Sequence, residues 1–210
     1  MSDSKNSRFS RDSTRNTLIV AIGVSFVCSI LVAGASVLLK PRQEKNQDLY
    51  RQRIVLEVAG LYEPGIDIED TFSSRVQVRL IELTSGDVVD TFDAETFDAI
   101  AAAQDPELGV AIPPEFDIAG IRRRSIHAPV YMISDAAGLQ QIILPVYGTG
   151  LWSTMYGFLS LDIDGNTVRG LQFYEHAETP GLGDQIDDAG WRAQWRGKQL
   201  FDATGAVQLT

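Results

Sequence analysis

The hydropathy pattern is dominated by an uninterrupted apolar run near the start of the chain. Residues 18–39 carry no charge and lie between Arg15 and Lys40. As a helix at about 1.5 Å per residue they would extend roughly 33 Å, enough to cross a hydrocarbon core of about 30 Å. A cleaved signal peptide is the alternative, because residues 33–35 resemble a small-x-small cleavage site, but the apolar region of a signal peptide is usually only ~7–15 residues long. The pattern favours a retained transmembrane helix.

Polar residues follow the apolar run and then give way to apolar residues again. Residues 43–59 predict that the helix continues beyond the membrane and ends near Gly60. A turn at residues 62–65 contains Pro and Gly, and a short helix is predicted over residues 67–74. The first helix should therefore continue well past the membrane.

The next segment combines strand and helix patterns. Residues 75–83 and 88–92 alternate polar and β-favouring side chains around a Gly-containing turn, which predicts a β-hairpin. Residues 93–104 have helical spacing, with Phe97 and Ile100 directed inward. This region therefore predicts a strand pair followed by a helix.

The second half of the chain predicts mainly β-structure. Short turns rich in Asp and Gly separate its apolar runs, so successive strands should pair antiparallel. A last helix is predicted over residues 187–195, where Trp191 and Trp195 share one face and are expected to pack on the sheet rather than contact a ligand. The predicted strands are residues 128–134, 139–146, 157–163 and 167–174. The fold class is α+β: a single N-terminal transmembrane helix, then an antiparallel-sheet domain with flanking helices.

The charge is distributed unevenly. Residues 1–39 carry a net +2 and residues 40–210 the remaining −12 of a total of −10. An acidic domain lacks the cations that neutralise phosphate, so nucleic acid is excluded as a partner. The short basic N-terminal segment is expected to be cytoplasmic, which places the acidic domain outside the cytoplasm. Residues 122–124, all Arg, are expected to form a solvated or partner-facing loop.

Cysteine and histidine are too rare to build a metal or disulfide framework. Cys28 is the single cysteine, and it lies in the apolar run. His127 and His176 are isolated in the sequence, and such histidines are usually satisfied polar groups. The sequence predicts no metal site.

Two segments place glycines among bulky side chains. Residues 144–157 contain Tyr147, Trp152 and Tyr156, and residues 176–183 place two glycines after an acidic and a hydroxyl side chain. Glycine lets a ligand approach the backbone, and aromatic rings offer apolar area with a polar tip. The pattern favours a planar ligand whose polar edges meet backbone amides and the hydroxyls of threonines such as Thr149.

Other ligands and chemistries are excluded by missing motif elements. Gly148 and Gly150 lack the third glycine and the following helix of a dinucleotide fingerprint, so a Rossmann-type dinucleotide site is rejected. There is no phosphate-binding loop, and Ser153 lacks the frame of a hydrolase nucleophile. Nothing in the sequence indicates that Glu178 and the aspartates after it come together as an acid–base pair. No catalytic residue is predicted.

Three segments of the sequence resemble a known family. Residues 144–162 (LPVYGTGLWSTMYGFLSLD), 176–183 (HAETPGLG) and 191–198 (WRAQWRGK) are similar to the C subunit of the sodium-translocating NADH:quinone reductase. The single span before the domain also matches, so the resemblance covers most of the chain. The combination is far more specific than any one motif.

The resemblance implies a role as an electron relay. It implies an FMN-binding domain on the periplasmic side of a bacterial inner membrane, in a single-pass chain whose N-terminus is cytoplasmic. The chain would belong to a six-subunit complex that couples NADH oxidation and ubiquinone reduction to Na⁺ export, with NADH oxidised on another subunit. The implied boundaries are a cytoplasmic tail (1–17), a transmembrane helix (18–39), a juxtamembrane helix (40–60) and the FMN-binding domain (61–210).

The resemblance also implies which residues border the isoalloxazine ring. They fall in the two glycine-containing segments already described. These cofactor-binding positions are Gly150, Leu151, Trp152, Glu178, Thr179, Pro180, Gly181, Leu182 and Gly183.

One expected motif is absent. In the family, FMN is joined through its phosphate to the threonine of a Ser-Gly-Ala-Thr motif, which this sequence lacks. Residues 204–207 come nearest, but Val207 has no hydroxyl and the segment predicts a hairpin turn. We therefore expect the sequence to be incomplete at its C-terminus, and the flavin-bearing threonine is unknown.

Two alternatives stay open. The first is the G subunit of an Rnf-type ferredoxin:NAD oxidoreductase, which shares a similar loop and a covalent flavin. Residues 151–156 favour the NADH:quinone reductase over it. The second is a membrane-anchored scaffold or binding subunit without flavin, which the missing attachment motif keeps open.

Overall fold

The computed structural model describes residues 14–208 and begins with a long helix. Helix α1 spans Thr14–Ala59 and continues through Pro41. Among the described residues it is the one helix long and apolar enough to cross a membrane, with a mean hydropathy of 2.6 in its most apolar stretch. Its apolar side chains between Leu18 and Leu39 are exposed, as lipid-facing residues are. Most of the predicted tail, residues 1–17, lies outside the described residues.

The last turns of α1 belong to the core of the following compact unit, which begins at Leu49. Leu56 is fully buried, and its neighbours in the core are Ile54, Val55, Val58 and Ala59. Three consecutive residues, 54–56, are buried, so this last part of the helix is enclosed on more than one face. The helix ends where Gly60 adopts a φ of +73°, and Leu61 N donates to Leu56 O at 2.8 Å. This is a Schellman end, one residue from the predicted position.

The predicted short helix and hairpin are both present. Helix α2 spans Ile68–Arg75 and is capped by Asp67, whose Oδ1 accepts from Asp70 N at 3.1 Å. Strand β1 spans Val76–Glu82 and pairs antiparallel with β2, which is only Val88–Val89.

The helix predicted over residues 93–104 is present only in its second half. Helix α3 covers only Ala99–Gln104, after an N-cap at Asp98. The Asp93 carboxylate accepts from Glu95 N and from the Thr96 hydroxyl, and such local bonds compete with helix formation. Ile100 is exposed, and Ala102 and Ala103 are the buried residues of this helix. Phe97 packs near Phe92 and His127.

The three-arginine loop prediction is also wrong. Strands β3 (Gly109–Ala111) and β4 (Arg123–Ser125) form a small antiparallel sheet that includes two of these arginines. The Arg123 side chain donates to the carbonyls of Ala103, Asp105 and Gly109. Arg123 therefore stabilises neighbouring backbone, a role that a run of like charges does not reveal.

The main sheet confirms the predicted antiparallel α+β fold. Its strands run in the order β2-β1-β5-β6-β7-β8, and every neighbouring pair is antiparallel. The four long strands are β5 (His127–Asp135), β6 (Gly138–Thr149), β7 (Thr154–Asp162) and β8 (Val168–Glu175).

Both faces of the sheet are covered. On β7, Phe158 packs with the end of α1, whereas Leu159 and Leu161 belong to a second core, since successive strand residues face opposite sides. Trp191 and Trp195 pack against this second core, as predicted. They follow a 3₁₀ helix at Gly183–Asp187, and helix α4 covers only Ala189–Ala193.

The chain then forms the predicted hairpin turn. Phe201 and Val207 form an antiparallel bridge, and Gly205 has a φ of +82°. The Thr204 hydroxyl donates to Asp202 Oδ1 at 2.6 Å. Residues 204–207 thus have a local structural role.

We predict that the Tyr131→Phe variant loses less stability at alkaline pH than wild type does. The Tyr131 ring lies edge-on to Phe158, 5.5 Å between centroids, and burial raises the pKa of its hydroxyl to about 12. A tyrosine in the unfolded chain ionises at pH ~10. Below that pH the hydroxyl is neutral in both states, and the folded protein has its full stability. Between the two values unfolding releases a proton, and wild type loses up to about 1.4 kcal/mol per pH unit.

Urea unfolding of the detergent-solubilised protein at several alkaline pH values measures this effect. The free energy of unfolding should decline less steeply for Tyr131→Phe than for wild type. Tyr50→Phe is the matched control, because Tyr50 is exposed, and it should follow wild type. Equal slopes for Tyr131→Phe and wild type would contradict the prediction.

Candidate functional site

The first glycine-containing segment forms the end of the β6–β7 hairpin. The two strands pair over nine positions, from Gln141 opposite Asp162 to Thr149 opposite Thr154. They extend beyond their predicted limits and leave only residues 150–153 as a loop, closed by Gly150 N donating to Ser153 O at 2.8 Å. The arrangement is strand–loop–strand, which agrees with the rejection of a dinucleotide fingerprint.

The second segment forms a compact turn after β8. The Thr179 carbonyl accepts from Leu182 N at 3.1 Å and from Gly183 N at 2.9 Å. Gly181 has a φ of +78°, a conformation that favours glycine, and its N–H donates to Asp184 Oδ1 at 2.8 Å.

Glu178 brings the two segments together. Its Oε1 accepts from Leu151 N at 2.9 Å and from Trp152 N at 3.3 Å. A second hydrogen bond connects the same two segments: Ala177 N donates to Ser153 Oγ at 2.9 Å. The two segments predicted from their glycines therefore meet at the end of the β6–β7 hairpin.

Glycine is required at two positions beside this carboxylate. A Cβ at Gly150 would collide with Glu178 Oε1, and a Cβ at Gly183 would lie 2.8 Å from Glu178 Cβ. Gly150 allows the close contact between the two segments, and Gly183 allows the close approach within the second segment. The sequence pattern did not distinguish such contacts from contact with a ligand.

Apolar side chains project from the same loops. Leu151 is 80% exposed, Trp152 67% and Leu182 76%. Exposed apolar groups beside ordered backbone suit a flat ligand with an apolar face and polar edges. The residues present therefore fit such a ligand.

The tyrosines of the first segment lie elsewhere. Tyr147 and Tyr156 face each other on adjacent strands and stack with 5.9 Å between ring centroids. Burial, followed by the neighbouring Tyr156, raises the pKa of Tyr147. Thr149 donates its hydroxyl to Gly120 O at 3.1 Å, so this threonine holds a neighbouring loop.

The acidic residues of the region have separate local partners. Asp184 accepts from Gly181 N, Asp187 contacts His176, and Asp188 caps α4 by accepting from Trp191 N. They do not form an acid–base pair with Glu178, whose carboxylate is bound to backbone amides. Sequence reasoning missed the contacts of Ser153 and His176, because only the folded arrangement brings their partners near.

Comparisons with known proteins place the chain in a family. The family model described as FMN-binding domain matches residues 150–208. The C subunit of the Na(+)-translocating NADH-quinone reductase of Pseudomonas aeruginosa is 47% identical over 204 residues, which cover 95% of this chain and 78% of that protein. The same subunit from Yersinia pestis is 44% identical over 198 residues, covering 92% and 74%. The chain belongs to this C-subunit family.

Solved structures agree with the fold. The crystal structure of Shewanella oneidensis NqrC has a TM-score of 0.70 and 39% identity, covering 76% of this chain and 73% of that one. The C-subunit structure from Parabacteroides distasonis has a TM-score of 0.62 at 23% identity, covering 81% and 74%, and supports the fold alone.

FMN is the cofactor of this domain. The matched region contains all nine predicted binding positions, but a regional match gives no individual residue a role. The nine positions therefore remain predictions, supported by the contacts that bring them together.

We predict that Gly150→Ala disrupts the junction between the loops. The added Cβ would displace Glu178 from the amides of Leu151 and Trp152. Losing a hydrogen bond of about 1 kcal/mol should speed hydrogen exchange at these amides by roughly fivefold to tenfold. The absorption spectrum of bound FMN should change as well.

Gly148→Ala is the matched control for this change. A Cβ there lies 3.5 Å from Ala119 Cβ, an ordinary contact. Exchange at residues 151 and 152 should stay close to wild type in this variant. Similar exchange rates in the two variants would count against the proposed junction.

Proposed function

We propose that this chain is the FMN-carrying electron relay of a Na(+)-translocating NADH-quinone reductase. That complex would couple NADH oxidation and ubiquinone reduction to Na⁺ export. The observation that carries the proposal is the junction of residues 150–152 with residues 178–183 through Glu178, inside the matched FMN-binding region. The relatives described above carry this reductase name, and their sequences align with nearly the whole of this chain.

The nine positions would bind and orient the cofactor. Leu151, Trp152 and Leu182 provide apolar area, and the turn around Gly181 provides closely spaced backbone groups. FMN itself supplies the capacity to accept and pass on electrons. The protein tunes that capacity through hydrogen bonds and the polarity of the surroundings.

This role needs no proton-transfer residue in the loops. Glu178 accepts from two amides, an arrangement that suits a structural carboxylate better than a general base. NADH would be oxidised on another of six subunits, and residues 18–39 would anchor the chain in lipid. The covalent attachment of FMN stays unassigned within residues 1–210.

The native complex provides the test of this function. We expect in-gel fluorescence of flavin at the mass of this chain after denaturation, and NADH oxidation by the same membranes that is stimulated by Na⁺. A flavin-bearing band without Na⁺-stimulated NADH oxidation would favour the Rnf-type alternative. A dark band would favour a scaffold and overturn the relay.

We further propose that the domain is periplasmic in a bacterial inner membrane, with a cytoplasmic N-terminus. The basic residues before the span support this orientation, because short positively charged segments stay inside. A reporter active only outside the cytoplasm, fused after Thr210, should be active. Activity of a cytoplasm-specific reporter at that position would reverse the orientation.

A further inference from the structure

The His176 side chain connects the second segment to the 3₁₀ helix that follows it. Its Nε2 lies 3.0 Å from Asp187 Oδ2 in the 3₁₀ helix, and its Nδ1 accepts from Glu178 N at 3.3 Å. The side chain is only 15% exposed. Neither contact was predicted from the sequence, where His176 is an isolated histidine.

These contacts specify one form of the imidazole ring. A backbone N–H can only donate, so Nδ1 must be unprotonated where it meets Glu178 N. Nε2 then carries the hydrogen and donates it to the Asp187 carboxylate. A proton on Nδ1 would remove the acceptor for Glu178, although it would strengthen the attraction to Asp187.

The contacts of His176 continue into the hairpin loop. Glu178 is held by the imidazole at its backbone N–H and by the amides of Leu151 and Trp152 at its carboxylate. A continuous series of hydrogen bonds therefore runs from Asp187 through His176 and Glu178 to the hairpin loop. The loop tips themselves are exposed, so little apolar packing could replace this series.

We propose that His176, in its Nε2-protonated form, is a positioning residue for the flavin loops and acts through Glu178. Its effect on FMN rests on the function proposed above, whereas its effect on the loops does not. Asp187 orients the ring, and the ring fixes the backbone from which the Glu178 carboxylate reaches across. The ring contacts Asp187 through its carboxylate and Glu178 through its backbone N–H.

Hydrogen exchange at residues 151 and 152 in the purified full chain tests the effect on the loops. His176→Ala should speed exchange by roughly fivefold to tenfold, as expected for losing a hydrogen bond of about 1 kcal/mol. His176→Asn should restore slow exchange, because its side-chain oxygen can replace Nδ1 as acceptor. Unchanged exchange in His176→Ala, or no rescue by His176→Asn, would overturn the proposal.

A control variant and a measurement on wild type distinguish the proposed role of His176 from a general loss of folding in the variants. Asp164→Ala removes a comparable carboxylate from the turn before β8 and should leave exchange at residues 151 and 152 unchanged. The ¹⁵N chemical shifts of the wild-type His176 ring should show a protonated Nε2 and an unprotonated Nδ1. The opposite tautomer would overturn the proposal even if every variant failed to fold.

The FMN midpoint potential in the purified complex tests the effect on the cofactor. It should shift in His176→Ala and return toward wild type in His176→Asn. Faster exchange with an unchanged potential would overturn the positioning role toward flavin. If the wild-type chain carries no flavin, the function proposed above fails, while the exchange experiment still decides the loop contacts.

Discussion

The site depends on the pairing of β6 with β7. This ladder lies inside the sheet, and nine residue pairs fix its register. Phe158 and Leu159 are neighbours on β7 but belong to cores on opposite faces. A slip by one residue would exchange these faces, so the buried side chains lock the register. The locked ladder determines where residues 150–153 leave the sheet.

Beyond the ladder, polar contacts replace apolar packing. The loop tips expose Leu151, Trp152 and Leu182, while Glu178 and Ser153 connect the segments through backbone amides. Each such bond contributes about 1 kcal/mol, far less than the burial of a core strand. The site therefore combines a strand ladder of fixed register with loops that the Glu178 carboxylate and the Ser153 hydroxyl connect, so small changes at Glu178 should affect the loops before the fold.

The sequence allowed good prediction of features with local causes. Alternating strands, Gly-containing turns and the end of α1 near Gly60 all follow from nearby residues. Helix α3 was overestimated because Asp93 forms side-chain bonds that compete with the helix, and Arg123 was misjudged because its carbonyl partners are distant in sequence. The same limit applies to the site: the residue types were predicted, but Leu151 and Glu178 meet across 27 positions.

The contacts also explain why an acidic site can serve electron transfer without acid–base chemistry. A carboxylate suited to proton transfer has to be available to a reacting group. Here Glu178 is bound to two amides, and Asp184 and Asp188 cap local turns. These carboxylates order the backbone, and an ordered backbone is what sets the surroundings of a flavin. The acidic residues thus contribute through the geometry that they maintain in the loops where the cofactor-binding positions are predicted.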